Sequence, residues 1–259
     1  MQRSTPFNLI LFHALRRFAL VLLVGMGLAT VFTLWTPGSF SLTDWLGQLA
    51  ANLPTPQAAA PPPVSTLASP TPTVPPNAPR IGIVSGHRGN DSGAVCPDGL
   101  TEAAVNYDIA VRVKAGLEAS GFQVDILDEF DSRLNGYQAL ALVSIHNDSC
   151  AYINDLATGY KVARALYSTT PEESDQLVAC LTNRYALATG LGFHAGSITP
   201  DMTQYHGFSE LDPRTPAAII ETGFLNLDRR ILTEEPYRVA QGVIDGILCY
   251  VRGEPVGGN

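Results

Sequence analysis

Apolar and polar positions along this chain fall into three regimes. Residues 18–35, FALVLLVGMGLATVFTLW, form an uncharged, mostly apolar run. As a helix such a run is about 27 Å long, close to the thickness of a bilayer core. Residues 51–80 show no periodicity and hold ten prolines among alanines and threonines, with Arg80 as the single charge. From residue 81 the pattern becomes that of a packed domain. RIGIVSG is a short β-branched run closed by glycine and reads as a buried strand. Residues 102–119 place Val105, Ile109, Val113 and Leu117 at four-residue spacing, the stripe of an amphipathic helix, with Gly121 as its stop. FQVDIL reads as a second strand. ALALVSIH reads as a third, apolar throughout and therefore central. Residues 158–168 and 172–189 read as helices, AAIIETGF as a fourth strand, and 236–251 as a closing helix. Strands alternating with helices predict an α/β fold: a three-layer sandwich with a central, largely parallel sheet and helices on both faces.

The flanks of the apolar run set its orientation. Arg3, Arg16 and Arg17 precede it, which places residues 1–17 in the cytoplasm and the rest of the chain outside. The expectation is a single-pass anchor over 18–35 in the cell membrane, with an extracytoplasmic main domain. The alternative is a cleaved signal and a secreted protein, but the run is long for a signal and no small-x-small site follows directly. Residues 36–80, Pro/Ala-rich from 51, cannot build a core and read as a linker. In polyproline II form the proline-rich part reaches about 90 Å at roughly 3.1 Å per residue. The main domain is 81–259.

Charge narrows the partners. The formal net charge is −8, split into +3 over residues 1–80 and −11 over 81–259. An acidic main domain argues against nucleic acid. Four cysteines, Cys96, Cys150, Cys180 and Cys249, suit an exported protein with disulfides. Cys96 and Cys150 each lie a few residues beyond a histidine of interest, which favours Cys96–Cys150, leaving Cys180–Cys249 to tie two helices. Four buried thiols are the alternative; the spacing holds no CxxC zinc ribbon.

Candidate chemistry gathers at the ends of the expected strands, where α/β sheets bind ligands. The first strand ends at His87, the third at His146, the fourth at Glu221, and Glu102 opens the helix after the loop VSGHRGNDSG. That loop lacks the G-x-G-x-x-G order and the G-K-[ST] ending of phosphate-binding loops. Two imidazoles and a carboxylate make a catalytic zinc set, and a second carboxylate is then free to act as a base in hydrolysis. Spacing alone does not say which glutamate does which.

The stretches GIVSGHRGNDSGAV, GLTEAAVNYDIAVRVKAGLEASGFQV, ALVSIHND and PAAIIETGFLNLDRRIL resemble, in order, those of zinc-dependent N-acetylmuramoyl-L-alanine amidases of the third type. These enzymes cleave the amide between muramic acid and the first L-alanine of the peptidoglycan stem. The resemblance covers about residues 80–251 and implies Zn2+ as cofactor, peptidoglycan as partner, His87, Glu102 and His146 as metal ligands, and Glu221 as the catalytic carboxylate. Arg88 and His206 are candidate substrate contacts. Ser85 and Arg88 stand where the family has proline and glycine, Asn147-Asp148 follows the second histidine, and LDEFDSR replaces the usual Thr-Arg; none of these removes a ligand. Two other readings remain open on the residues: a non-catalytic peptidoglycan-binding or regulatory module, and a zinc peptidase of the stem peptide.

Overall fold

The computed structural model describes residues 74–256. The apolar run 18–35 and nearly all of the proline-rich segment lie outside the described residues. In chain order the elements are β1 (Arg80–Ser85), α1 (Glu102–Ala119), β2 (Gln123–Leu127), β3 (Ala141–Asp148), β4 (Lys161–Arg164), α2 (Pro171–Thr189), α3 (Pro200–Thr203), α4 (Gly207–Glu210), β5 (Ala217–Phe224), α5 (Arg229–Glu234) and α6 (Pro236–Val251). They build one five-stranded sheet in the order β2-β1-β3-β5-β4. The first four strands in that order run parallel, and β4 joins β5 antiparallel at the edge.

Local chemistry explains where α1 begins and ends. Thr101 accepts the N–H of Ala104 on its side-chain oxygen, capping the first turn. At the other end Gly121 takes φ +92°. Its N–H and that of Phe122 then close on the carbonyls of Glu118 and Leu117, the left-handed stop that glycine allows. The expected stripe Val105, Ile109, Val113 and Leu117 is buried.

Alternation along the strands divides side chains between two faces. Ile83, Val143, Ile145 and Ile220 enter the main core with α1, α2 and α6. α2 and α6 meet closely because Gly242 and Gly246 face α2. A Cβ on Gly246 would lie 2.8 Å from the Cα of Leu181, and one on Gly242 3.0 Å from that of Tyr185. The disulfide Cys180–Cys249 ties the same two helices, and Cys96–Cys150 ties the loop after β1 to the loop after β3. Both pairings agree with the sequence expectation.

Two expectations need correction. Residues 158–168 do not form a helix. Gly159, at φ +104°, breaks the chain before them. Lys161 and Ala163 then face one side while Val162 enters the main core on the other, the two-residue period of a strand. The second correction concerns the layers. The three long helices pack together in the main core on one face of the sheet. The other face is covered by the connection from β2 to β3 and by residues 190–216, whose helical pieces are three or four residues long. Pro200 sits in the first turn of α3, where proline is tolerated, and Pro213 and Pro216 keep α4 from continuing toward β5.

Removing the staple between α2 and α6 tests its contribution. The Cys180→Ala, Cys249→Ala double variant is expected to lose about 2–4 kcal/mol of unfolding free energy, read by denaturant titration under oxidising conditions.

Candidate metal centre and hydrolytic site

The site is built where the parallel strands end. After Ser85 the chain turns, and His87 adopts φ +65°, the single non-glycine residue with positive φ among the described residues. Such a backbone costs an L-residue roughly 1–2 kcal/mol, and several hydrogen bonds hold it. The His87 N–H donates to Glu129 Oε2 at 2.6 Å. Its carbonyl accepts the N–H groups of Asn90 and Asp91 at 3.1 and 3.0 Å. Its Nδ1 lies 2.7 Å from Asp91 Oδ1. The bare backbone of Gly86 makes room for the second histidine, since a Cβ there would stand 2.4 Å from Cε1 of His146.

Glu102 is the first residue of α1, where the helix N-terminus favours a negative charge. Its Oε2 accepts the N–H of Ala94 at 3.1 Å. Its Oε1 accepts the N–H of Asn147 at 3.1 Å and a donor from Asn106 Nδ2 at 3.3 Å. The same oxygen faces Nε2 of His87 at 3.2 Å and Nδ1 of His146 at 3.3 Å. One ligand atom from each of His87, Glu102 and His146 therefore falls within 4.8 Å of the others. A buried amide network stands behind them. Thr222 Oγ1 donates to Asn147 Oδ1 at 2.5 Å, Asn147 Nδ2 to Asn106 Oδ1 at 2.6 Å, and Asn106 Nδ2 to the Gly86 carbonyl at 3.1 Å.

The register of the sheet supplies the rest. His146 on β3 pairs with Glu221 on β5, and Glu221 pairs with Lys161 on β4, so the three stand in one row across neighbouring strands. Burial pushes the Glu221 carboxyl up to about 7, against the pull of His146 and Lys161, and its Oε2 has no hydrogen-bond partner among the described residues. Lys161 is itself buried and paired with the Asp148 carboxylate. These side chains line a cleft of about 580 Å³ together with Glu129 and Tyr205.

The electrostatics fit a cation. Its hydrogen bond and charge interaction with Glu102 push the His87 imidazole up to about 9. Burial disfavours the charged form of His146, but Glu102, Glu221 and Glu129 outweigh it and raise that imidazole as well. Burial would likewise raise Glu102, yet the hydrogen bonds from His146 and His87 hold it well below the usual carboxylate range. A site that draws positive charge onto two imidazoles is one where a metal ion takes the place of protons.

The other two candidates sit elsewhere. Arg88 pairs with Asp128 at 3.1 Å and lies over the Tyr107 ring, 4.6 Å from its centroid; it does not line the cleft. His206 does not itself line the cleft; it contacts two residues that do, Glu129 at 2.9 Å and the Tyr205 ring at a centroid distance of 4.5 Å. Glu129 and Lys161 are additional members of the site. Glu129 follows the end of β2 just as His87 follows the end of β1, so the strand-end rule extends to it. Lys161 is hidden by the helical reading of its segment.

A family model described as N-acetylmuramoyl-L-alanine amidase (Amidase_3) matches residues 81–249. The chain belongs to this amidase family. The family is typically metal-dependent, and the convergence of His87, Glu102 and His146 is a possible metal site. Among curated relatives, N-acetylmuramoyl-L-alanine amidase LytC of Bacillus subtilis (strain 168) is 29% identical over 185 residues, covering 66% of this chain and 35% of the relative. The chain thus spans about a third of that relative's length, 35%. The amidase Ami1 of Mycobacterium smegmatis shares the fold at 19% identity and a TM-score of 0.55, over 67% of this chain and 97% of that one. AmiC2 of Nostoc punctiforme is 25% identical with a TM-score of 0.50, over 67% and 97%.

The amide network behind the triad has a measurable weight. Asn106→Ala leaves the Gly86 carbonyl and Asn147 Nδ2 without their buried partners, removes one donor from Glu102, and is expected to cost about 1–3 kcal/mol. Denaturant titration reads that loss, and metal competition should show weaker binding in the same variant.

Proposed function

We propose that the domain over residues 81–259 hydrolyses the amide joining N-acetylmuramic acid to the L-alanine of the peptidoglycan stem, with Zn2+ held by His87, Glu102 and His146. The observation that carries this reading is one row of the sheet, in which a ligand histidine stands beside a half-buried carboxylate of raised pKa whose Oε2 is buried without a partner. Bound zinc supplies Lewis-acid polarisation of the scissile carbonyl and acidity to water. Glu221 takes a proton from the attacking water as its oxygen bonds to the lactyl carbonyl carbon. The C–N bond then breaks, and Glu221 returns the proton to the departing alanine nitrogen. The products are a free lactyl carboxylic acid and a stem peptide with a free amine. Glu221 is suited to both transfers because its raised pKa lies near neutrality.

The same reading places the domain outside the cytoplasm. Both disulfides support an oxidising compartment. Residues 18–35 serve as the membrane anchor and 36–80 as the spacer that lets the domain reach the wall; among the described residues no helix is long and apolar enough to cross a membrane.

Mass spectrometry of purified peptidoglycan after digestion decides the bond. Free stem peptides beginning with L-alanine are expected. Shortened peptides still attached to glycan would mean a stem peptidase, and no product a binding module. Glu221→Gln is expected to keep zinc and lose about 10²–10⁴-fold in turnover, measured on the same substrate with zinc content by elemental analysis. A protonated Glu221 cannot accept a proton. The rate should therefore fall as pH drops through about 7, with the limb moved lower where the positive charge of zinc favours the carboxylate. A kcat/KM that stays flat down to about pH 4 would remove Glu221 as the base.

A further inference from the structure

The two imidazoles turn unlike atoms toward the centre. His87 presents Nε2 and His146 presents Nδ1. A metal takes the lone pair of the inward nitrogen, so the outward nitrogen carries the proton and needs an acceptor. For His87 that acceptor is Asp91 Oδ1, at 2.7 Å from Nδ1. For His146 the outward Nε2 is buried and has no hydrogen-bond partner among the described residues. The carboxylate that faces it is Glu129, whose Oε2 lies 3.6 Å away. The same oxygen already accepts the main-chain N–H of His87 at 2.6 Å.

We propose that Glu129 is the positioning residue of this centre, fixing both ligand histidines by accepting the Nε2–H of His146 and the backbone N–H of His87. This rests on the zinc reading above. Its second oxygen, Oε1, is held by His206 Nε2 at 2.9 Å. The other nitrogen of His206 meets Glu210 Oε1 at 3.1 Å, and its ring stacks on Phe130 with centroids 4.1 Å apart. His206 therefore holds Glu129 in place. Burying a carboxylate is unfavourable unless its lone pairs are used. Here both oxygens are used, one to brace the centre and one to fix the brace. Carboxylates behind metal-bound histidines orient the ring and fix its tautomer, and their removal commonly lowers metal affinity 10–100-fold.

Zinc affinity, measured on the intact protein by competition with a chromophoric chelator, tests this directly. The visible spectrum of the cobalt(II)-substituted protein reports ligand geometry beside it. Glu129→Ala is expected to bind zinc about 10–100-fold more weakly and to shift the cobalt bands. Glu129→Gln keeps an acceptor oxygen of lower basicity and should fall between that variant and wild type. If Glu129→Ala binds zinc as wild type does and leaves the cobalt spectrum unchanged, the proposal is overturned. Should that variant fail to fold, Glu129→Gln decides, and wild-type affinity with a wild-type spectrum overturns the proposal. A wild-type protein that takes up neither metal would instead overturn the reading of the centre itself.

Discussion

The pairing of β3 with β5 is the constraint on which the site depends. It sets His146 beside Glu221, and β4 then sets Lys161 on the other side of Glu221. A slip of one residue in either strand would carry these side chains to the opposite face of the sheet. The register is fixed by what lies next to them. Ile145 and Ile220, the neighbours of His146 and Glu221, are fully buried in the main core. The same apolar packing that stabilises the domain thus aims its polar residues.

Within the site, charge is balanced by geometry. Five acidic residues, Glu102, Glu129, Asp148, Asp201 and Glu221, line a cleft with two histidines and one lysine. Asn106 and Asn147 orient Glu102 with amide donors, which adds hydrogen bonds without adding charge. The Asn147 donor is its main-chain N–H, and a cationic side chain in place of Asn106 would compete with a metal for the same carboxylate. Lys161, the cation nearest Glu221 in the row, is paired with Asp148, so its charge is largely spent before it reaches the centre.

Much of this was legible in the sequence. α1, β5 and α6 follow from hydrophobic spacing and glycine stops, and β5 and α6 match the expected residues to their ends. The strand-end rule finds His87, His146 and Glu221, because in a parallel sheet those ends share one edge. β4 was not legible, since four residues are too few for a period to assert itself against the helical spacing around them. The irregular second face was not legible either, because its layers are set by prolines and by tertiary contacts such as Gly136 N–H with the Glu210 carbonyl. Arg88 and His206 are visible as polar residues near the motifs. Their carboxylate partners, Asp128 and Glu129, lie about 40 and 77 residues away in sequence, and no local pattern connects them.

The unequal covering of the sheet has a consequence for how such a protein can change. The helical side carries the main core, the close crossing at Gly242 and Gly246, and a disulfide. The cleft side is roofed by short turns between residues 190 and 216. Substitutions, insertions or deletions in those turns would alter the walls around the centre while leaving the main core nearly untouched. The main core and the roof of the cleft thereby lie on opposite sides of one sheet. A lineage built on this plan can retune what it grips without having to relearn how to fold.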